Sequence, residues 1–254
     1  MFLENCNIID NIKIENDKYL LRIKSNKAYK ISKAGQFFML ESNTFLRRPI
    51  SIHYIENDII EFYYQVKGEG TKYLSRLKKD DTINIQGPLG NGFDTSIKNK
   101  KILIIAGGMG LAPMKLLIEN LINNNITLIM GGANENAIKI IKRFDLSRIN
   151  LYITTDDGSV GDKTNVIEKT KELLENNDFD IVYTCGPNIM ISKLIKLIKS
   201  IKYKNITCYA SLEERMACGV NACLGCCIET NDKEKPLQKI CYDGPVFNCD
   251  ILNY

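Results

Sequence analysis

The sequence has a single histidine, His53, no tryptophan, and no apolar run long enough to span a bilayer. Its N-terminus, Met1-Phe2-Leu3-Glu4-Asn5-Cys6, lacks a basic region followed by an apolar core, so no secretory leader is expected and the chain is placed in the cytoplasm. Its 34 basic and 30 acidic residues leave a net charge of +4 with no long block of one sign, which argues against nucleic acid or a membrane surface as partner. His53 has no Ser, Cys or acidic partner placed by sequence, so it is read as structural, and no nucleophile–base pair stands out. There is no internal repeat and no low-complexity segment beyond an Ile/Asn/Lys bias. What remains is a globular chain of 254 residues, long enough for two domains or one and a half, whose 44% hydrophobic content is ample for a packed core.

Cysteine, by contrast, is plentiful. Nine thiols cannot all pair internally, and in a reducing compartment a cluster of them points to metal before disulfides. Five of them lie in two short stretches near the C-terminus, Arg215-Met216-Ala217-Cys218-Gly219-Val220-Asn221-Ala222-Cys223-Leu224-Gly225-Cys226-Cys227 and Ile240-Cys241-Tyr242-Asp243-Gly244-Pro245. Cys218, Cys223, Cys226 and Cys241 have the C-x4-C-x2-C…C spacing of a plant-type 2Fe-2S cluster. Gly219, Ala222 and Gly225 keep the loop thin around a compact inorganic core. A zinc site, a disulfide pair and buried free thiols are the competing readings. Zinc usually has two C-x2-C knuckles, and only one is present. Cys227 is a spare, because adjacent side chains in an extended segment diverge.

From Ile12 to about Phe93 the signals are short β-rich runs: Tyr19 to Ile23, Gln36 to Leu40, Ile50 to Ile55, Ile59 to Val66 and Ile83 to Ile85. Only Thr71 to Leu77 reads as helix. This regular spacing predicts a small antiparallel β-barrel. Within it, Arg48-Pro49-Ile50-Ser51 sets a guanidinium and a hydroxyl at a strand start, where a pyrophosphate is held well. An edge strand with ordinary surface arginines is the bland alternative. Gln65-Val66-Lys67-Gly68-Glu69-Gly70-Thr71 leaves a strand and opens a short helix, with Gly70 and Thr71 as the pyrophosphate pair. The Arg48 to Ser51 string resembles the R-x-Y-S flavin motif of the ferredoxin reductase superfamily, with Ile50 where many members carry a ring-stacking Tyr. By that resemblance Gly87-Pro88-Leu89-Gly90-Asn91-Gly92-Phe93 ends the flavin barrel near the nicotinamide side.

At Lys101 the pattern changes to alternating strands (Ile102 to Ala106, Thr127 to Met130, Leu151 to Thr154, Ile181 to Tyr183, Ile206 to Tyr209) and helices (Pro113 to Asn123, Ala137 to Phe144, Asn165 to Leu174, Ile189 to Ile201). A parallel, doubly wound α/β sheet is predicted. Gly107-Gly108-Met109-Gly110-Leu111-Ala112-Pro113 follows the first strand and gives a diphosphate room to approach. It is not the dehydrogenase fingerprint, which would need Gly at position 113 and an acidic residue after the second strand. Cys185 and Gly186 stand at the C-terminal end of the fourth strand, where ligands bind in such sheets. Cys185 is read as a small buried residue beside the ring rather than a redox thiol. Asp156 and Asp157, after the third strand, form an acidic turn or a ribose site. Two carboxylates there would repel a 2′-phosphate and favour NAD over NADP.

The whole plan resembles the electron-transfer subunits of bacterial NAD-dependent dihydroorotate dehydrogenases. The resemblance rests on Arg47 to Ile52, Gly87 to Phe93, Thr155 to Ser159, Tyr183 to Gly186, Arg215 to Gly219 and Asp243 to Phe247. The extra thiol Cys227, and Met109 and Leu111 in the glycine loop, depart from the pattern. The expectation is a β + α/β chain: an FAD-binding β-barrel over 1–97, an NAD-binding α/β domain over 98–210 and a small C-terminal 2Fe-2S domain over 211–254. The cofactor residues implied are Arg48, Pro49, Ile50, Ser51, Gln65, Val66, Lys67, Gly70, Thr71, Gly108, Gly110, Pro113, Cys185 and Gly186, with the four cysteines on the cluster and no catalytic residue for dihydroorotate. The implied partner is an FMN-containing dihydroorotate dehydrogenase catalytic subunit, in a heterotetramer of two of each, serving pyrimidine synthesis. The alternatives are an NAD(P)H-dependent reductase subunit serving another partner and a flavin-free zinc-binding interaction module.

Overall fold

Strand patterning divides the chain in two. The computed structural model, which describes residues 2–201 and 205–254, begins with β1 (Phe2–Glu15), β2 (Lys18–Lys24), α1 (Ala28–Ile31), β3 (Phe37–Leu40), β4 (Arg48–Ser51), β5 (Tyr54–Glu56), β6 (Ile59–Gln65), α2 (Glu69–Leu74) and β7 (Thr82–Leu89). In β7, Ile83, Ile85, Gly87 and Leu89 are buried and the residues between them are not, the period of two that gives a strand one inner face. The seven strands pair antiparallel in the order β4-β3-β7-β1-β2-β6-β5. The edge strands β4 and β5 are consecutive in sequence, so the sheet curls round to bring its two edges towards each other. Ile52 and His53 make the changeover: the Ile52 N–H still donates to Gln36 O beside β3 (3.0 Å), while the His53 N–H donates to Glu61 O on β6 (2.8 Å).

The second half follows as β8 (Lys101–Gly107), a 3-10 turn (Gly108–Leu111), α3 (Met114–Asn120), β9 (Asn125–Gly132), a 3-10 helix (Glu135–Arg143), β10 (Ile149–Thr155), α4 (Val166–Asn176), β11 (Ile181–Cys185), α5 (Asn188–Ser200) and β12 (Thr207–Ser211). These strands are parallel in the order β10-β9-β8-β11-β12. Ile102 to Ala106 is buried throughout, as a strand covered on both faces must be. The tail adds the hairpin β13 (Cys227–Glu229) and β14 (Leu237–Lys239), then β15 (Val246–Asn248), which pairs antiparallel with β12 as a sixth strand.

The structure departs from the sequence reading in several places. β1 starts ten residues before the first strand signal at Ile12, through a polar stretch of Asn and Asp that carries a register shift between Ile8 and Asp10. The run Ile50 to Ile55 is two strands because the chain changes partner at Ile52 and His53. The expected helix at Ala137 is a 3-10 helix in which Ile138 and Ile141, three apart, are both buried, and β-branched residues weaken the α form. The helical turn in the first half is Glu69–Leu74 rather than Thr71 to Leu77, and α1 adds a second short helix.

Apolar packing joins the parts. Phe38 and Phe62 of the curled sheet belong to one buried cluster with Ile104 and Leu116 of the α/β half. Phe37, Met39 and Leu89 pack with Cys226, Cys241 and Phe247 of the tail and with Leu194 of α5. The tail is therefore wedged against both sheets.

Candidate functional site

A cavity of about 220 Å³ opens where the three parts meet. The curled sheet contributes Phe37, Pro49, Ile50, Ser51, Tyr63, Tyr64 and Gln65, followed by Lys67 and Thr71; the α/β half contributes Met109 and Ala112; the segment after β12 contributes Ser211, Leu212, Glu213, Glu214 and Met216, and Pro245 closes the wall. The sequence-predicted residues Pro49, Ile50, Ser51, Gln65, Lys67 and Thr71 are thus brought together.

Arg48 and Gly70 explain each other. A Cβ at Gly70 would lie 2.1 Å from Arg48 Nε, so the guanidinium stem crosses the start of α2 and only glycine lets it do so. Arg48 Nη2 donates to Thr44 Oγ1 at 2.7 Å, whereas Arg47 turns away to Asn84, with Nη1 donating to the carbonyl at 3.0 Å and Nη2 to Oδ1 at 2.6 Å. The Thr71 hydroxyl accepts the N–H groups of Lys67 (2.9 Å) and Gly68 (3.3 Å) and fixes the turn. Val66 does not line the cavity; its N–H donates to Asp17 O at 2.7 Å.

A second cleft, of about 410 Å³, lies at the C-terminal ends of β8, β9 and β10 and the N-terminal turns of α4 and α5. Gly107, Gly108, Gly131, Gly132, Thr154, Asp156, Asn165, Pro187 and Lys193 are among its lining residues. Thr154 is buried, and its hydroxyl has no partner among the described residues. Gly107 and Gly108 face this cleft while Met109 and Ala112 face the first cavity, so the 3-10 turn is the partition between the two. Of the predicted residues here, Gly108 lines the cleft, and Gly110, Pro113, Cys185 and Gly186 line neither space. Gly110 serves packing, since a Cβ there would meet the Cys185 carbonyl oxygen at 2.1 Å. Cys185 is buried, and burial drives its thiol pKa upward, against a hydrogen bond with Ser211.

Only one of the two predicted ribose carboxylates faces the cleft. Asp156 lines it, while Asp157 accepts the Ser159 N–H at 2.9 Å and is held below the ordinary carboxylate pKa by the Ser159 hydroxyl and N–H. The Gly87 to Phe93 turn ends the curled sheet beside the α/β half, as expected, and also reaches the tail. Asn91 Nδ2 donates to the carbonyls of Tyr242 (3.2 Å) and Asp243 (3.0 Å) in the tail, and the Phe93 ring meets Tyr183 of β11 edge-on at 5.1 Å.

In the cysteine loop, burial raises the Cys218 pKa, but the N–H groups of Val220 and Cys223, 3.4 and 3.3 Å from its sulfur, outweigh it and bring the thiol down to about 7. Burial pushes Cys241 up to about 11, opposed by the Asn221 N–H and assisted by the neighbouring Cys226 thiol. Cys218 thus has the Cys223 thiol beside it, and Cys241 has Cys226 beside it with Cys218 near enough to act on its charge. Among the described residues no group of three or more His, Cys, Asp or Glu converges on a single ion. Four neighbouring thiols, one of them with two N–H groups aimed at its sulfur, are a donor set suited to a two-iron cluster. Gly219, at φ +67°, brings the loop onto β3, where a Cβ would lie 2.7 Å from Met39 Cγ. Cys227 opens β13 opposite Lys239, and Cys249 packs in the core with its sulfur 3.0 Å from that of Cys208.

Sequence reasoning missed Ser211 to Glu214 as a cavity wall, a stretch that carries no predicted site residue and reaches the cavity only because β12 delivers it there. It also missed Tyr63 and Tyr64, which read as ordinary strand residues.

Residues 213–253 match the iron-sulfur cluster binding domain of dihydroorotate dehydrogenase B, and residues 104–195 match an oxidoreductase NAD-binding domain. The chain is 38% identical, over 94% of its length and 93% of the relative's, to the electron transfer subunit of dihydroorotate dehydrogenase B (NAD(+)) from Clostridium acetobutylicum. It is 34% identical to the subunit of the same name from Fusobacterium nucleatum, over 97% of each chain. Among solved structures, that of an NADH-dependent reduced ferredoxin-NADP oxidoreductase, described in the context of flavin-based electron bifurcation, superposes with a TM-score of 0.86 at 26% identity, covering 98% of this chain and 90% of that one.

Proposed function

The chain belongs to the family of electron transfer subunits of NAD(+)-dependent dihydroorotate dehydrogenase B, and from that premise we propose how its residues divide the work. The curled sheet of residues 1–97 is the flavin barrel, residues 98–210 bind NAD, and residues 211–254 carry the cluster; Met1 and residues 202–204 lie outside the described residues. FAD would be held in the cavity under β4, with Arg48 and the start of α2 beside that cavity supplying donors for its pyrophosphate. NAD would be held in the glycine-lined cleft, where Asp156 could meet its ribose. Cys218, Cys223, Cys226 and Cys241 would hold a 2Fe-2S cluster. The chemistry supplied there is exchange between a hydride and single electrons, since flavin handles both and an iron–sulfur centre only the second.

The observation that carries this reading is the shared wall. Met216 lines the flavin cavity two residues before Cys218, and Met109 and Ala112 line it from the far side of the turn whose Gly107 and Gly108 face the nicotinamide cleft. The chain's own residues thus hold the three groups in the order nicotinamide, flavin, cluster. Electrons from an FMN-containing catalytic subunit, two of each chain in a heterotetramer, would enter on the Cys218 to Cys226 side. A reducing cytoplasm suits nine thiols that are all unpaired.

The whole-chain likeness to the ferredoxin-NADP oxidoreductase supports a second reading, a reductase subunit with a different partner. Purifying the chain under anaerobic conditions and mixing it with an FMN-dependent dihydroorotate dehydrogenase tests the two. Dihydroorotate-dependent NADH formation is expected; NADH oxidation that never couples to that partner overturns the assignment in favour of the second reading.

A further inference from the structure

His53 is the only histidine in the chain and is completely buried. It sits where the curled sheet changes partner, between the strand that carries Arg48 to Ser51 and the strand that pairs with β6. Its backbone clamps two halves of the molecule: the N–H donates to Glu61 O at 2.8 Å, and the carbonyl accepts the Leu116 N–H at 3.0 Å. That N–H belongs to the first turn of α3, where a donor has no partner within its own helix.

The side chain adds a third link. His53 Nδ1 is 2.7 Å from the Ala112 carbonyl oxygen. A carbonyl only accepts, so Nδ1 carries the proton and Nε2 is left bare, without a partner among the described residues. The ring lies between those of Tyr63 and Phe144, each with its centroid 5.7 Å away. Burial first, and then the charges of Lys115 and Arg143, hold the imidazole neutral, with its pKa lowered to about 3 despite the Ala112 bond. A neutral donor locked in one tautomer is poorly suited to moving protons and well suited to fixing a distance.

We propose that His53 is a positioning residue for hydride transfer: its Nδ1–H, donated to Ala112 O, sets the turn that separates the flavin cavity from the nicotinamide cleft at a fixed distance from the flavin-binding strand. Ser51, two residues before His53, and Ala112 itself both line the cavity, and Gly108, four residues before Ala112, lines the cleft. One hydrogen bond therefore ties the support of one reactant to the support of the other. A displacement of about 1 Å between reacting groups can slow a reaction on the order of a hundredfold.

This inference rests on the flavin and nicotinamide assignment, so the test separates the two. His53→Phe keeps a ring without the donor, and His53→Asn restores an amide N–H near the Nδ1 position. FAD content, the NADH dissociation constant and the anaerobic rate of flavin reduction by NADH are measured for each. In His53→Phe, FAD content and NADH affinity should stay within about twofold, while the reduction rate falls roughly tenfold or more and the long-wavelength nicotinamide–flavin charge-transfer absorbance is lost. His53→Asn should recover most of both. Equal rates in all three proteins, or parallel loss of FAD in both variants, would overturn the proposal; a wild-type chain that binds no FAD would overturn the assignment beneath it. Should His53→Phe fail to fold, nitrogen-15 spectroscopy of the single imidazole in the wild-type chain decides. The Nδ1–H tautomer, with a shift on adding NADH, is expected, and an Nε2–H tautomer or a signal blind to NADH rules the proposal out.

Discussion

Arg48 and Gly70 show how a motif and its support are read differently from sequence. The arginine was legible because a guanidinium before a strand hydroxyl has a chemical purpose. That Gly70 exists to let Arg48 pass was not, because the contact joins residues on separate elements. Arg48→Ala should lower FAD affinity tenfold or more, about 1.5–3 kcal/mol for a lost charged hydrogen-bond partner. Gly70→Ala, with its new methyl against Nε, should displace the same guanidinium and lower affinity in the same direction with Arg48 intact. Flavin fluorescence titration of both variants checks this, and unchanged affinity in both would remove Arg48 from the pyrophosphate site. His53 gives a pH prediction at the same scale. Its pKa is near 6.5 when unfolded and about 3 when folded, because burial and the nearby Lys115 and Arg143 disfavour the charged form; Glu61 and Tyr63 also face this region. The folded state resists protonation, so this stability is complete above pH 6.5 and is lost as pH falls towards 3. By pH 4.5 the loss is about 2–3 kcal/mol. Denaturant midpoints at pH 7 and 4.5 should therefore fall less for His53→Asn than for the wild type.

At the scale of elements, legibility followed patterning. The buried run of β8 and the alternation of β7 announce a covered parallel strand and a one-faced antiparallel strand. The first ten residues of β1 did not, because their face is too polar to show a period, and pairing with β2 and β7 supplies what the pattern lacks. The cysteine loop is the opposite case: its spacing names four candidate ligands, while only the fold shows the Val220 and Cys223 N–H groups turned onto the Cys218 sulfur. Iron and acid-labile sulfide should each be found at about two per chain. Cys218→Ser, Cys223→Ser, Cys226→Ser and Cys241→Ser should each lose the visible absorbance of the cluster, and Cys227→Ser should keep it, since Cys227 belongs to the β13 hairpin. Stoichiometric zinc without sulfide would contradict the assignment.

For the molecule as a whole, the wall that Ser211 to Glu214 form beside Met216 matters more than any single motif, and its role was not visible in the sequence. It becomes a wall only because β12 pairs beside β11 and β15 returns to hold the tail, both long-range events. That arrangement predicts a chain that is half of an enzyme. Its one histidine is buried and bonded to Ala112, so it offers no base for removing a proton from dihydroorotate. The isolated chain should oxidise NADH with an artificial acceptor, because both the cavity and the cleft are its own, yet form no orotate. Adding the FMN-containing partner should supply that reaction through the cysteine loop, whose exposed Arg215 stands beside the cavity residue Met216. Arg215→Glu should therefore weaken partner-dependent turnover several-fold while changing NADH oxidation by an artificial acceptor little. Measuring both rates with and without the partner is decisive: orotate from this chain alone, or equal loss of both rates in Arg215→Glu, would mean that electrons do not cross between subunits at this loop.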